Sequence, residues 1–265
     1  MSARLITSLT NETVKAVRAL HMRKERQATG QFLAEGLKFI GEALDLQRAP
    51  RLLLVGEDAR PHPLLDRARA ETVAAGGEVV IVTHAILEKI SRRENPQTVL
   101  AVFDQVYLPL TGIDPASAPC WVALEQVRDP GNLGTIIRTA DAAGCGGVIL
   151  IGDCVDPFST EAVRATMGSV FAVSITRTTP EDFLAWRAAW PGSVVGTRLD
   201  ATVEHRAAAL NRPALILMGP EQAGLSDALA AACDVNVKIP MRGRADSLNL
   251  AVATGIMVYA ATEGL

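Results

Sequence analysis

The sequence predicts an α/β protein in two parts, and three observations carry that reading. Apolar runs of strand length alternate with stretches of helix length along nearly the whole chain. Strand runs of the second half, such as Ala214-Leu215-Ile216-Leu217-Met218, are apolar throughout, which suits a parallel sheet covered on both faces. Between the halves, Leu108 to Pro119 holds three prolines and one glycine in twelve residues, a density that no core element tolerates. The division is therefore a first domain over residues 1–106, a linker over 107–119 and a second domain over 120–265.

In the first domain, Val14, Val17 and Leu20 recur at three-residue spacing and give one apolar stripe, so a helix runs from Asn11 to Met22. Residues Arg23 to Gln31 are polar, with a glycine at Gly30. Strand Phe32–Ala34 leads into a helix over Gly36–Leu46. Strand Arg51–Val55, a helix over Pro63–Ala75 and strand Glu78–Val82 follow. A short helix over His84–Ile90 and strand Val99–Val106 complete an α/β unit of smaller size.

In the second domain, apolar runs place strands at Cys120–Leu124, Val148–Ile151, Val170–Ile175, Val194–Thr197, Ala214–Met218 and Val235–Ile239. The intervening segments read as helices over Thr135–Ala143, Thr160–Met167, Glu181–Ala189, Asp227–Ala232 and Leu248–Thr262. The last carries Leu248, Leu250, Val252, Ala253 and Ile256 on several faces, more apolar surface than one core face needs, which points to a subunit interface.

The chain has 265 residues, 49% of them hydrophobic and 21% charged, which excludes collagen, a coiled coil and a disordered chain. A formal charge of −3 excludes a histone-like basic protein, so any nucleic acid must meet a local patch. Residues 1–104 hold 15 Lys and Arg against 13 Asp and Glu, whereas residues 105–265 hold 11 against 16. The first 26 residues hold six cations against two acids, among them Lys15, Arg18, Arg23, Lys24 and Arg26. That excess fits either a solvated helix or an electrostatic footprint for phosphates.

Cys120, Cys145, Cys154 and Cys233 form no CxxC pair and read as buried reduced thiols in a cytoplasmic protein, with no metal site. The N-terminus lacks an apolar signal core, and its arginines leave an organelle transit peptide as the alternative. No apolar stretch approaches 18 residues, so a membrane span is not expected.

Three segments follow the carboxyl ends of predicted strands, where open α/β sheets bind ligands. In EQVRDPGNLGTIIRTADAAG, a turn at Pro130-Gly131 precedes Asn132 and Gly134, and Arg138 follows on the helix. Arg138 reads either as a functional cation or as a salt-bridge partner of Asp141; Asn132 reads as a site residue or as a helix cap. Neither GxGxxG nor GxxxxGK[ST] is present, so an ordinary dinucleotide or nucleoside-triphosphate site is unsupported. In ALILMGPEQAGLSDAL, the strand breaks at Gly219-Pro220-Glu221, where a ligand can approach the backbone closely, and Glu221 could equally serve a helix start. In VKIPMRGRADSLNLAVATG, Ser247 and Asn249 open the last helix, with Ser247 able to cap it.

Together these segments resemble the signature motifs of the SpoU (TrmH-like) RNA ribose 2′-O-methyltransferases of the SPOUT superfamily. Asn132, Gly134, Arg138 and Gly144 match the first motif. Gly219, Glu221, Gly224 and Leu225 match the second, and Ile239, Pro240, Met241, Gly243, Ser247, Leu248 and Asn249 the third. Around Phe32, Glu35, Gly36 and Leu44, the first domain looks like the family's ribosomal-protein-L30e-like substrate-binding domain.

The resemblance implies a C-terminal parallel-sheet domain with a deep trefoil knot, an exception to the usual rule. It implies S-adenosylmethionine as methyl donor, held near Gly196, Thr197, Arg198, Met218, Gly219, Ile239, Met241 and Leu248. It implies that Arg138 is essential, as a perturbed base or as the group that orients the hydroxyl, with Asn132, Glu221, Ser247 and Asn249 shaping the site. The four histidines lie outside the three motifs, so a histidine base is not expected. Family members are homodimers through this domain, and the apolar last helix fits that. The extra domain and the cations at Lys15, Arg18, Arg23, Lys24 and Arg26 favour structured RNA, ribosomal RNA over tRNA, bound by phosphates and shape. The alternatives are a tRNA methyltransferase, an RNA-binding protein with an inactive methyltransferase domain, and a small-molecule methyltransferase.

Overall fold

The computed structural model describes residues 4–221 and 223–263. In chain order the elements are β1 (Arg4–Ile6), α1 (Glu12–Ala19), α2 (Arg23–Thr29), β2 (Gln31–Glu35), α3 (Leu37–Asp45), β3 (Leu52–Gly56), α4 (Pro63–Ala74), β4 (Glu78–Val82), α5 (His84–Ser91) and β5 (Val99–Asp104). Then come β6 (Cys120–Glu125), α6 (Pro130–Ala142), β7 (Gly147–Ile151), α7 (Thr160–Thr166), β8 (Ser174–Thr178), α8 (Pro180–Arg187), β9 (Val194–Thr197), β10 (Val203–Glu204), β11 (Ala214–Met218), α9 (Asp227–Ala231), β12 (Val235–Lys238) and α10 (Leu250–Thr262). The chain forms two compact units, one of residues 1–105 with 158–171 and the other of residues 106–157 with 172–265.

The first unit holds a sheet ordered β1-β4-β3-β5-β2, parallel from β1 to β3 and antiparallel through β5 and β2. Val14, Val17 and Leu20 all point into its core, as their spacing requires. The stripe is broken, however: α1 stops at Ala19 and a second helix starts at Arg23, closed by Gly30 in the left-handed conformation at φ 65°. Arg26 on that helix is buried and donates to the Leu20 carbonyl at 2.8 Å. It ties one helix to the chain before it. The expectation of an exposed RNA-binding cation at Arg26 is corrected accordingly.

The strand expected at Val170–Ile175 begins only at Ser174. Residues Ser169–Phe171 form a 3₁₀ turn instead, because Phe171 packs on Phe32, Phe39 and Phe103 at centroid distances of 5.9, 5.2 and 4.7 Å. This segment belongs to the first unit although the division at the linker gives it to the second domain. Beside it, Arg164 meets the buried Glu35 carboxylate at 2.6 Å.

The second unit holds a fully parallel sheet ordered β10-β12-β9-β11-β6-β7-β8. Strands β6, β7 and β11 are buried along their whole length, as the unbroken apolar runs predict. Residues read as a linker pack on this unit: Leu108 exchanges hydrogen bonds with Ile175 and Thr176, and Ile113 is buried. Three cysteines are buried, Cys233 is half-buried, and all four thiols are free. Among the described residues no helix is long and apolar enough to cross a membrane.

Candidate active site

Three turns of the second unit carry the site, each following a strand of the parallel sheet. The first follows β6. Asp129 caps α6 by accepting from the Asn132 amide at 2.6 Å, and Pro130 occupies the first helical position, where a missing N–H costs nothing. The helix therefore starts five residues earlier than its apolar pattern suggests, and Asn132 lies within it rather than at its cap. The Asp-Pro pair is the available signal. Arg138, two turns further on, is exposed and makes no ion pair among the described residues, so the alternative of a bridge to Asp141 is not realised.

The second turn follows β11. At Gly219 a Cβ would fall 2.2 Å from the Gly224 carbonyl carbon and the Leu225 nitrogen. The glycine is needed because the turn's own backbone, not only a ligand, comes this close. Glu125, buried at the end of β6, accepts from the Ser226 amide at 2.8 Å and anchors the same turn. Sequence reading does not single out Glu125, whose signal is a carboxylate ending an apolar strand.

The third turn follows β12. Asn249, not Ser247, caps α10: its Oδ1 accepts from the Ala251 and Val252 amides at 3.0 and 3.3 Å. The helix consequently starts at Leu250 rather than Leu248. Ser247 is exposed and bonds to Asp246 at 3.1 Å.

These turns converge. Asn132 Nδ2 donates to Glu221 Oε1 at 2.7 Å, and Asn249 Nδ2 donates to Asn132 Oδ1 at 2.9 Å and to Glu221 Oε1 at 3.4 Å. The Leu250 amide adds a fourth bond, to Glu221 Oε1 at 3.2 Å. A carboxylate can only accept, so Glu221 fixes which end of the Asn132 amide faces it. The remaining oxygen of Asn132 is then the acceptor that orients Asn249. Of the five residues expected to carry the chemistry, Asn132, Glu221 and Asn249 form one network. Arg138 and Ser247 stand outside it.

Beside the network lies a cavity of about 290 Å³. Thr197, Met218, Gly219, Ile239, Met241 and Leu248, all expected donor contacts, line it, together with Glu221 and Ser247. Gly196 does not: the place of its Cβ is taken by Asn236 Oδ1 and Cys233 Sγ at 2.2 and 2.9 Å, so this glycine serves packing. Arg198 and Asp200 also line the cavity. Arg198 grips Asp200 through two bonds of 2.8 and 2.9 Å and reaches Asp227 at 2.9 Å. The hydrogen bonds from Arg198 hold the Asp200 carboxyl below the usual carboxylate range. No histidine lines the cavity, and among the described residues no group of three His, Cys, Asp or Glu could hold a metal ion.

The lining can be tested against S-adenosylmethionine. Its volume is near the lower end of small-molecule pockets, about 300 Å³. Met218, Leu225, Ile239, Met241 and Leu248 offer an apolar slot for a flat base. Thr197 Oγ1 is buried with no partner among the described residues, a polar atom that a ligand group would satisfy. Glu221 gives the edge a carboxylate suited to a ligand with sulfonium and ammonium groups, whereas the Asp200 charge is matched by Arg198. The residues fit.

Comparison with known proteins gives the same picture. The SpoU rRNA Methylase family profile matches residues 119–259, and the MRM3-like substrate binding domain profile matches residues 11–101. The 23S rRNA (guanosine(2553)-2′-O)-methyltransferase RlmP of Bacillus subtilis is 32% identical over 96% of this chain and 97% of its own. An rRNA methyltransferase of Sinorhizobium meliloti, solved with AdoMet bound, is 49% identical with a TM-score of 0.93, over 99% of this chain and 98% of that one. The SpoU methyltransferase AviRb of Streptomyces viridochromogenes, in complex with AdoMet, is 30% identical with a TM-score of 0.84, over 95% and 97% of the two chains.

Proposed function

Because the chain belongs to the SpoU rRNA methylase family and shares the α/β, parallel-sheet fold of its solved SPOUT relatives, we propose that it methylates a ribose 2′-hydroxyl in large-subunit ribosomal RNA, with S-adenosylmethionine as donor. The observation that carries this reading is the Asn132–Glu221–Asn249 network, which joins all three motifs at the edge of the cavity.

The donor supplies a methyl carbon made electrophilic by its sulfonium. The ribose oxygen gains that carbon as the carbon–sulfur bond breaks, and the hydroxyl proton is released. This chain's residues align and prepare the oxygen. Arg138, exposed and without an internal acid partner, is free to hold the 2′-hydroxyl and a neighbouring phosphate through its fork of donors. Glu221 and the two asparagines hold the turns that shape the donor pocket, and Ser247 lines its rim.

The same reading makes the protein a homodimer through the second unit. Support comes from α10, where Val252 and Tyr259 remain 52% and 55% exposed. A monomer at micromolar concentration in sedimentation contradicts it. The reading includes the knot, supported by α10 returning from β12 to pack on α6, β6 and β11. It also includes a cytoplasmic location, supported by relatives named for ribosomal RNA.

The direct test is Arg138→Ala. Transfer from labelled donor to RNA falls by at least about 10²-fold, the scale of losing an aligned catalytic group, while donor affinity by calorimetry stays within about twofold. Wild-type turnover by this variant overturns the assignment.

A further inference from the structure

A second concave feature lies in the first unit, far from these motifs in sequence. Helices α1 and α5 pack side by side, and a cleft of about 480 Å³ opens along them. Lys15, Arg18, His21, Glu88, Lys89 and Arg92 line it. Four permanent cations face one carboxylate, Glu88, which leaves the cleft a net positive charge. Lys15 pairs with Glu12, which lies outside the cleft, in an exposed contact that water screens. Arg18, Lys89 and Arg92 make no ion pair among the described residues.

The cleft has a fixed wall. His21 Nε2 meets the Ile90 carbonyl at 2.6 Å, and its Nδ1 meets the Thr160 hydroxyl at 3.2 Å, so both ring nitrogens are used. Arg92 ends α5 in the left-handed conformation, at φ 56°. Cations in the last turn of a helix are favoured by its dipole, which accounts for Lys89 and Arg92 on α5 and for Arg18 in the last turn of α1. It does not account for Lys15, nor for the gathering of cations from two helices along one groove. Unpaired cations gathered on two sides of a groove raise the local potential and draw in a polyanion.

We propose that this cleft grips the sugar–phosphate backbone of the RNA substrate, with Arg18, Lys89 and Arg92 as the contacts that set affinity. It rests on the RNA reading above. It adds α5 to the binding face and separates the cleft from Arg23 and Lys24, which do not line it.

The test uses the full chain and an unmodified 23S rRNA transcript in filter binding at roughly 50 to 200 mM salt. The triple variant Arg18→Ala, Lys89→Ala, Arg92→Ala binds on the order of tenfold more weakly. Its slope of log affinity against log salt is shallower by about two to three. The charge-keeping variant Arg18→Lys, Arg92→Lys retains most of the slope, and an unchanged thermal midpoint shows that the fold is kept. Unchanged affinity and slope in the triple variant, with the wild type binding normally, overturn the cleft alone. The cleft is likewise overturned if only Arg23→Ala, Lys24→Ala loses binding. If the wild type binds S-adenosylmethionine in calorimetry but holds no RNA, the RNA reading and the cleft fall together.

Discussion

Asn132 and Glu221 stand 89 residues apart in sequence and meet side chain to side chain at 2.7 Å. The contact joins the turn after β6 to the turn after β11, and the amide of Leu250 brings the start of α10 to the same carboxylate oxygen. One oxygen atom thus coordinates three strand-end turns. Its loss leaves the Asn132 side-chain amide and the Leu250 backbone N–H without their acceptor, while Asn249 keeps its 2.9 Å bond to Asn132.

The first prediction follows from that sharing. Asn132→Asp sets a second carboxylate against Glu221, and two such groups cannot both ionise freely at this distance. Methyl transfer falls on the order of 10²-fold at neutral pH, because the turns are no longer held in register. It recovers in part as acidification protonates one of the pair, whereas Glu221→Ala shows no such recovery. A pH–rate profile of both variants reads this directly; identical profiles rule the pairing out.

Asn249 does two things that substitution can separate. Its Oδ1 caps α10, and its Nδ2 reaches Asn132 and Glu221. Asn249→Asp keeps an acceptor for the cap but turns the second group from donor to acceptor, so activity drops sharply while denaturant midpoints hold. Asn249→Ala loses both, with about 1 kcal/mol of stability lost from the cap. Wild-type activity in a fully folded Asn249→Asp variant removes Asn249 from the site.

At Gly219 even one methyl group has nowhere to go, since backbone atoms on the facing arm of the turn lie 2.2 Å from its position. Gly219→Ala costs about 3 kcal/mol or more, the upper range for overpacking, and abolishes donor binding. The contrast is Gly243, where nothing stands within 4 Å of a Cβ and Ala is accommodated. Calorimetric titration of both variants with S-adenosylmethionine checks the pair; donor affinity unchanged in Gly219→Ala contradicts the geometry.

His21 gives the first unit a pH dependence. Burial lowers its pKa below 6.5, outweighing the bond to the Ile90 carbonyl. Between the folded and unfolded values the unfolded chain binds the extra proton, so stability rises with pH there. The contribution is complete above about 6.5 and lost as pH falls below it. The thermal midpoint should drop more between about pH 7.5 and 5.5 in the wild type than in His21→Gln, which keeps a donor for Ile90. Parallel curves exclude the effect.

Much of this fold is legible where burial alone decides structure. Strands β6, β9 and β11 are buried on both faces, and their apolar runs mark them within a residue. Element starts are harder to read. Helix α6 begins at Pro130 because Asp129 caps it, and α10 begins at Leu250 because Asn249 does, decisions made by single hydrogen bonds that apolar periodicity does not register. Strand β10 is two residues long, and β1 exists through pairing with β4, so neither has a local pattern to detect. Phe171 has the local pattern of a strand and sits instead at the centre of an aromatic cluster, a tertiary choice. Charge counting places Arg26 on an RNA face, but a count does not see that its guanidinium is spent on the Leu20 carbonyl. The site residues are each visible in their motifs. Their mutual hydrogen bonds, and the burial of Glu125 behind them, exist only in the folded chain.

The decisive measurement is methyl transfer itself. Purified protein with labelled S-adenosylmethionine is given unmodified large-subunit ribosomal RNA and, separately, unmodified tRNA, and the products are digested to nucleosides. Label is expected in ribosomal RNA, recovered as a 2′-O-methyl nucleoside, present with the wild type and absent with Arg138→Ala. Label on a base, or in tRNA alone, or the same yield from Arg138→Ala, contradicts the assignment of this chain as a ribosomal RNA ribose methyltransferase.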